Sequence, residues 1–178
     1  MSVKLRLRDF RPEDFETLWR IDNQCFAPEI SYSRTELAAY LRRRGAFALV
    51  ADAEGSPVVT GAEGLRSGEF PPFIVGFIVA EPGRGRTGHI ITIDVLPTVR
   101  RAGVGSQLLR AAEDRLRAAD SHGAVLETAV DNRAALSFYK AHAYSVVKTV
   151  PRYYSNGVDA LVLKKDLLSP PEPAKLPQ

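Results

Sequence analysis

The sequence predicts a mixed α/β fold, in which one central sheet of parallel and antiparallel strands carries helices on both faces. Three observations carry that expectation. Apolar periodicity along the 178 residues switches between the two-residue repeat of strands and the 3.6-residue repeat of helices in the order β-α-α-β-β-β-α-β-α-β-β. Several neighbouring strands follow one another directly, as in hairpins, whereas a strand-helix-strand crossover in the middle requires a parallel pair. That crossover holds a glycine-bearing turn, V-R-R-A-G-V-G-S-Q from Val99 to Gln107, between the strand-like run I-I-T-I-D-V and an amphipathic helix.

Each element has a local reason. Val3, Leu5 and Leu7 alternate with Lys4, Arg6 and Arg8, the period of a half-buried first strand. Phe15, Leu18, Trp19, Asp22 and Phe26 recur at helical spacing behind Pro12, and Pro28 ends that helix. Ser33 with Glu36 three residues later forms a capping box for a second helix running to about Arg44, before Gly45. Ala46 to Ala51 reads as a strand, and Asp52 to Pro72, rich in Gly, Pro, Ser and acidic residues, as a long hairpin connection. Strands follow at Phe73 to Ala80 and His89 to Val95, then a helix from about Gly103 to Ala119 and a strand from Ala124 to Val130. A helix from Asn132 to His142 and strands at Ser145 to Val150 and Val158 to Lys164 complete the order, with Asn156-Gly157 as the last turn.

One domain is expected over residues 1–168, followed by a disordered tail over 169–178 that holds Pro170, Pro171, Pro173 and Pro177. Lys and Arg total 24 against 21 Asp and Glu, without a concentrated basic stripe, so nucleic acid is not an expected partner. Cys25 is the only cysteine, and His89, His122 and His142 are scattered, so no metal site is expected and a reducing compartment fits. The first residues lack the apolar core of a signal peptide and no apolar run is long enough to span a membrane, which suggests a soluble cytoplasmic protein.

The turn before the middle helix reads as a diphosphate cradle. Amides at a helix N-terminus have no intrahelical partner and sit at the positive end of the macrodipole. Gly103 and Gly105 let backbone approach an anion, and Arg100 and Arg101 add charge. No Lys follows Gly105, which excludes a nucleotide-hydrolysing P-loop, and Leu108 stands where a dinucleotide fingerprint needs its third glycine. The remaining string, R-x-x-G-x-G, resembles the acetyl-CoA signature of the GNAT N-acetyltransferase superfamily; by itself it also reads as a glycine-softened turn.

A second segment, L-E-T-A-V-D-N-R-A-A-L-S-F-Y-K-A-H-A-Y from Leu126 to Tyr144, is similar to one in RimI-type and archaeal N-terminal acetyltransferases, with Glu127, Asn132 and Tyr139 in register. On a strand, Glu127 points away from the face of Leu126 and Thr128, while Asn132, Ala135, Leu136 and Tyr139 form one helical stripe. A carboxylate and a phenol can therefore face one cleft. Acetyl transfer from a thioester to an amine needs a base for the ammonium and an acid for the departing thiolate, tasks that suit Glu127 and Tyr139. Their structural alternatives are a paired surface carboxylate and a packed phenol, and Asn132 also suits a helix cap.

The resemblance implies a GNAT fold, a sheet splayed at the cofactor slot, acetyl-CoA as co-substrate and no metal. It implies cofactor contacts at Ile93, Asp94, Val95, Arg100, Arg101, Ala102, Gly103, Val104, Gly105, Ser106, Asn132 and Tyr139. Tyr32, Tyr153 and Tyr154 match aromatics that line a peptide entry, and the acceptor is then a protein or peptide N-terminus. Proton chemistry agrees, since at pH 7 an α-amine is roughly 10% neutral and a lysine on the order of 0.04%. Lysine or small-amine acetylation, and a non-catalytic acyl-CoA sensor, are the alternatives; a monomer or a homodimer fits. The chain departs from the family at Ala143, where a left-handed helix exit calls for glycine, and in its long Glu54 to Pro72 loop, which could cover the acceptor cleft or be a surface loop.

Overall fold

The computed structural model describes residues 4–54 and 73–168. Its seven strands are β1 (Lys4–Asp9), β2 (Phe47–Glu54), β3 (Phe73–Pro82), β4 (Thr87–Val95), β5 (Gly123–Ala129), β6 (Ser145–Val150) and β7 (Ala160–Asp166), and its helices are α1 (Phe15–Cys25), α2 (Arg34–Leu41), α3 (Val104–Ala118) and α4 (Arg133–Ala141). They follow the predicted order. The single sheet runs β1-β2-β3-β4-β5-β7-β6, with β4 and β5 parallel and all other neighbours antiparallel. Most strand boundaries differ from the sequence expectation by one or two residues, as where β3 runs to Pro82, β4 starts at Thr87 and β7 spans Ala160–Asp166, and two boundaries differ by three. Strand β2 continues to Glu54, taking the first residues of the predicted connection into the ladder opposite Lys4. Helix α2 stops at Leu41 rather than near Arg44. The rest of the predicted connection and the proline-rich tail lie outside the described residues.

The helix starts are chemical. Ser33 Oγ accepts from the Glu36 amide at 3.2 Å while Glu36 Oε2 accepts from the Ser33 amide at 2.9 Å, the reciprocal box expected for α2. Asn132 Oδ1 accepts from the Ala135 amide at 3.1 Å and caps α4.

Two cores follow from the two faces of the sheet. On one, Leu108, Leu109, Ala112 and Leu116 of α3 pack with Tyr139 of α4 against Ile78, Ile90 and Leu126. On the other, Leu18 and Ile21 of α1 and Leu37 of α2 pack against Val50, Phe77 and Val79. Buried charge pins the frame. Glu113 of α3 accepts from Tyr144 Oη at 3.1 Å and from Lys165 Nζ at 2.7 Å, and Arg8 bridges Asp14 and Asp52 at 2.7 Å each. A Cβ on Gly76 of β3 would stand 2.6 Å from the carbonyl oxygen of Asp94, so glycine sets how closely β3 approaches the end of β4.

The parallel pair is short. Only Thr87–His89 of β4 match Gly123–Val125 of β5, after which β4 stays with β3 and β5 with β7 as far as Ala129. The sheet therefore forks after His89.

The alanine at the exit of α4 does not alter its path. Ala143 adopts φ +65° and the Tyr144 amide donates to the Tyr139 carbonyl at 3.0 Å, closing the helix as a glycine would. Because a left-handed residue with a Cβ costs about 1–2 kcal/mol, Ala143→Gly is expected to raise the thermal midpoint by about 2–4 °C, read by calorimetry.

Candidate functional site

The cradle forms at the start of α3. Arg101 and Gly103 take φ of +65° and +82°, turning the chain so that Gly103 caps the helix and its carbonyl accepts the first intrahelical bond, from Gln107 at 3.1 Å. The amides of Val104, Gly105 and Ser106 thus precede the first bonded donor and point out of the helix end. A Cβ on Gly103 would meet nothing within 4 Å, which leaves the approach to these amides open. Gly105 also has a packing role. A Cβ there would lie 3.4 Å from the Phe138 ring and 3.7 Å from Val95, so this glycine serves the packing of α3 on α4 and β4. Arg101 and Ala102 are exposed, whereas Arg100 turns back and donates from Nε to the Val95 carbonyl at 3.1 Å. Ser106 also has a partner no sequence pattern suggested: its Oγ lies 3.0 Å from His142 Nε2.

The fork exposes the edge of β4 to side chains. Tyr32 Oη donates to the Ile91 carbonyl at 3.4 Å, and Cys25 Sγ to the Val95 carbonyl at 3.3 Å. The register against β3 shifts between Ile90 and Thr92, a bulge that leaves Ile91 without a partner in the ladder. Ile93 and Val95 pack toward α3, and Asp94 faces the other side. Asp94 is 1% exposed; Oδ2 accepts from Thr92 Oγ1 at 3.1 Å and Oδ1 has no partner. Burial pushes this carboxyl well above the usual carboxylate range, and neighbouring Asp22 adds to the rise while Thr92 and Arg100 oppose it. Asp22 of α1 is 0% exposed, with Oδ2 on the Tyr32 amide at 2.8 Å and Oδ1 unpartnered. Burial raises it to about 6, against the pull of that amide.

Glu127 lies on the face opposite Leu126, as alternation predicts. Its Oε2 sits 2.7 Å from Nε2 of His89, the last residue of β4 paired with β5. His89 Nδ1 is 4.0 Å from Glu81 Oε1, which Arg43 binds at 3.0 Å, so a line of polar groups leads from Glu127 to the surface. His89 was not among the expected site residues. Its pairing needs the strand register, which spacing in the sequence does not contain.

Tyr139 is buried on α4, with Ala135 and Leu136 beside it. Burial is the main reason its phenol is pushed up, with the charges of Asp94 and Tyr154 next. Tyr154 is raised to about 12 by burial, Tyr153 and Glu127. Tyr32 packs edge-on against Tyr40 at 5.1 Å, and burial raises its phenol also. Tyr153 is 50% exposed and stacks edge-on with Tyr154 at 5.1 Å. Next to them Ser155 Oγ donates to the Glu29 carbonyl at 2.6 Å, tying the β6–β7 loop to the α1–α2 loop. Asn132 spends its side-chain acceptor on the α4 cap. No helix among the described residues is long and apolar enough to cross a membrane.

Comparison with known proteins agrees with this geometry. Residues 14–144 match the Acetyltransferase (GNAT) family. An N-alpha-acetyltransferase of Sulfolobus acidocaldarius is 33% identical over 173 residues, 93% of this chain and 95% of that protein. The N-alpha-acetyltransferase daf-31 of Caenorhabditis elegans is 32% identical over 100 residues, and the match covers 53% of this chain and only 55% of that relative, about half its length. Among solved structures, Ard1 from Thermoplasma volcanium superposes with a TM-score of 0.74 at 26% identity, covering 94% of this chain and 100% of that one.

The buried acids have a consequence for stability. Asp22 binds its proton more tightly folded than unfolded, so its contribution is full below about pH 4 and is lost as pH rises through about 6. Urea unfolding of wild type and Asp22→Asn should show the stability difference, wild type minus variant, falling by about 2–3 kcal/mol between pH 4 and pH 8.

Proposed function

The chain belongs to the GNAT acetyltransferase family, and from that premise we propose that it acetylates the α-amine of a protein or peptide N-terminus, with acetyl-CoA as donor. The observation that carries this reading is the Glu127–His89 pair at the apex of the fork between β4 and β5. Acetyl-CoA supplies an acyl group activated as a thioester. The free amides of Val104, Gly105 and Ser106 suit its diphosphate, and the open side of Gly103 suits close approach. The edge of β4 from Ile93 to Val95 suits the pantetheine arm, with the Val95 carbonyl already held by Cys25 and Arg100.

Glu127 takes a proton from the substrate ammonium, directly or through one water, so that the neutral nitrogen can attack the acyl carbon. His89 passes that proton toward Glu81 and the surface, which leaves Glu127 ready for the next turnover. Tyr139 donates its phenolic proton to the sulfur as the C–S bond breaks, and the second proton that the nitrogen sheds on becoming an amide restores the phenol through solvent. The raised affinity of Tyr139 for its proton keeps it protonated until the C–S bond breaks, and burial disfavours a thiolate in the same way, which favours transfer to the sulfur. Tyr32, Tyr153 and Tyr154 flank the acceptor. The Ser155–Glu29 link between the two loops favours an acceptor that enters end-on, which supports a chain terminus over an internal lysine. A cytoplasmic setting and a monomer or homodimer complete the reading.

The test is thiol release from acetyl-CoA with a library of free and Nα-blocked peptides. Free N-termini are expected to react faster than lysines. Glu127→Gln and Tyr139→Phe should each lower kcat/KM about 10²–10⁴-fold while the protein still binds acetyl-CoA. Binding without turnover on any amine would favour a sensor instead, and faster lysine acetylation would overturn the substrate class.

A further inference from the structure

The contact between His142 and Ser106 joins the end of α4 to the first turn of α3, and its hydrogens can be assigned. His142 Nδ1 lies 2.8 Å from the Phe138 carbonyl, which can only accept, so Nδ1 carries a hydrogen. In the neutral ring Nε2 is then an acceptor, and the Ser106 hydroxyl at 3.0 Å must donate to it. The ring is held in place, packed at 4.4 Å on Phe138, whose own edge abuts Gly105. In this arrangement Ser106 sits beside the free amides of the cradle but offers an anion only lone pairs.

Protonation reverses that. An imidazolium donates from both nitrogens, so Nε2–H points to Ser106 Oγ and the serine hydrogen is released to donate elsewhere. We propose that His142 is a positioning residue for the diphosphate: when the anion seats on the first turn of α3, the ring takes one proton from solvent, reverses its bond with Ser106 and frees the serine hydroxyl to donate to the anion. This rests on the reading of that turn as a diphosphate site. The charged groups carried by the segments that meet at His142 are Arg100 and Arg101 in the turn, Arg110 on α3, and Arg133 and Lys140 on α4; residues 99–112 and 133–145 contain no carboxylate. Further along α3, Glu113 is engaged by Tyr144 and Lys165, and Asp114 by Arg117. The anion is thus the only negative charge the proposal brings to the ring.

The probe is 3′-dephospho-CoA, whose diphosphate does not titrate near neutrality. Ring ¹⁵N signals of the three histidines, His89, His122 and His142, are assigned by substitution. At a pH where the free protein shows a neutral His142 ring, saturating probe should convert it to the imidazolium. The Kd of wild type should weaken about tenfold from pH 6 to pH 8.5, the size of one charge-assisted hydrogen bond. In His142→Gln the Kd should be flat over that range, and in Ser106→Ala most of the ligand-induced protonation should disappear. A ring that stays neutral in the saturated complex, or the same pH dependence in wild type and His142→Gln, would overturn the proposal while leaving the diphosphate site intact. Failure of the probe to bind at any pH would overturn both.

Discussion

The short parallel ladder between β4 and β5 is the constraint from which the site follows. Three residues on each strand pair, and then each strand keeps only its antiparallel neighbour. Backbone groups inside a protein must find partners, so an open strand edge within the fold either binds something or recruits side chains. The second outcome is visible here. Tyr32 occupies the Ile91 carbonyl and Cys25 with Arg100 the Val95 carbonyl, while the Glu127–His89 pair stands where the ladder ends.

Two kinds of acid meet at this fork, and burial separates them. Glu127 is partly exposed and hydrogen-bonded to an imidazole, with a route of polar groups to solvent. Asp94 and Asp22 are sealed in, each with one oxygen unpartnered, and burial raises both carboxyls, Asp22 to about 6. Burial disfavours charge on both, and Asp94 adds to the rise of the Tyr139 and Tyr32 phenols beside it. The same desolvation makes the contribution of Asp22 to stability depend on pH.

The frame that holds the fork open lies behind it. Glu113, bound by Tyr144 and Lys165, ties α3 to the exit of α4 and to β7, and Gly76 allows β3 to press against the end of β4. The left-handed turn at Ala143 makes this possible despite its Cβ, because burial of Tyr144 outweighs a local cost of about 1–2 kcal/mol.

Much of this was legible in the chain. The alternation from Lys4 to Arg8, the capping box at Ser33 and the stripe from Asn132 to Tyr139 are local patterns, and the structure realises each within a few residues, although α2 ends three residues early. The unpaired amides after Gly103 were readable too, since a helix start is local chemistry. What the sequence did not contain was partnership across distance. The meeting of His89 with Glu127, of His142 with Ser106 and of Asp22 with the surroundings of Asp94 depends on register between strands and on the docking of helices. Spacing along a chain fixes which face a residue occupies; only tertiary packing decides what stands opposite it and how much water is left there, and those two quantities set how far burial raises Asp22 and Asp94.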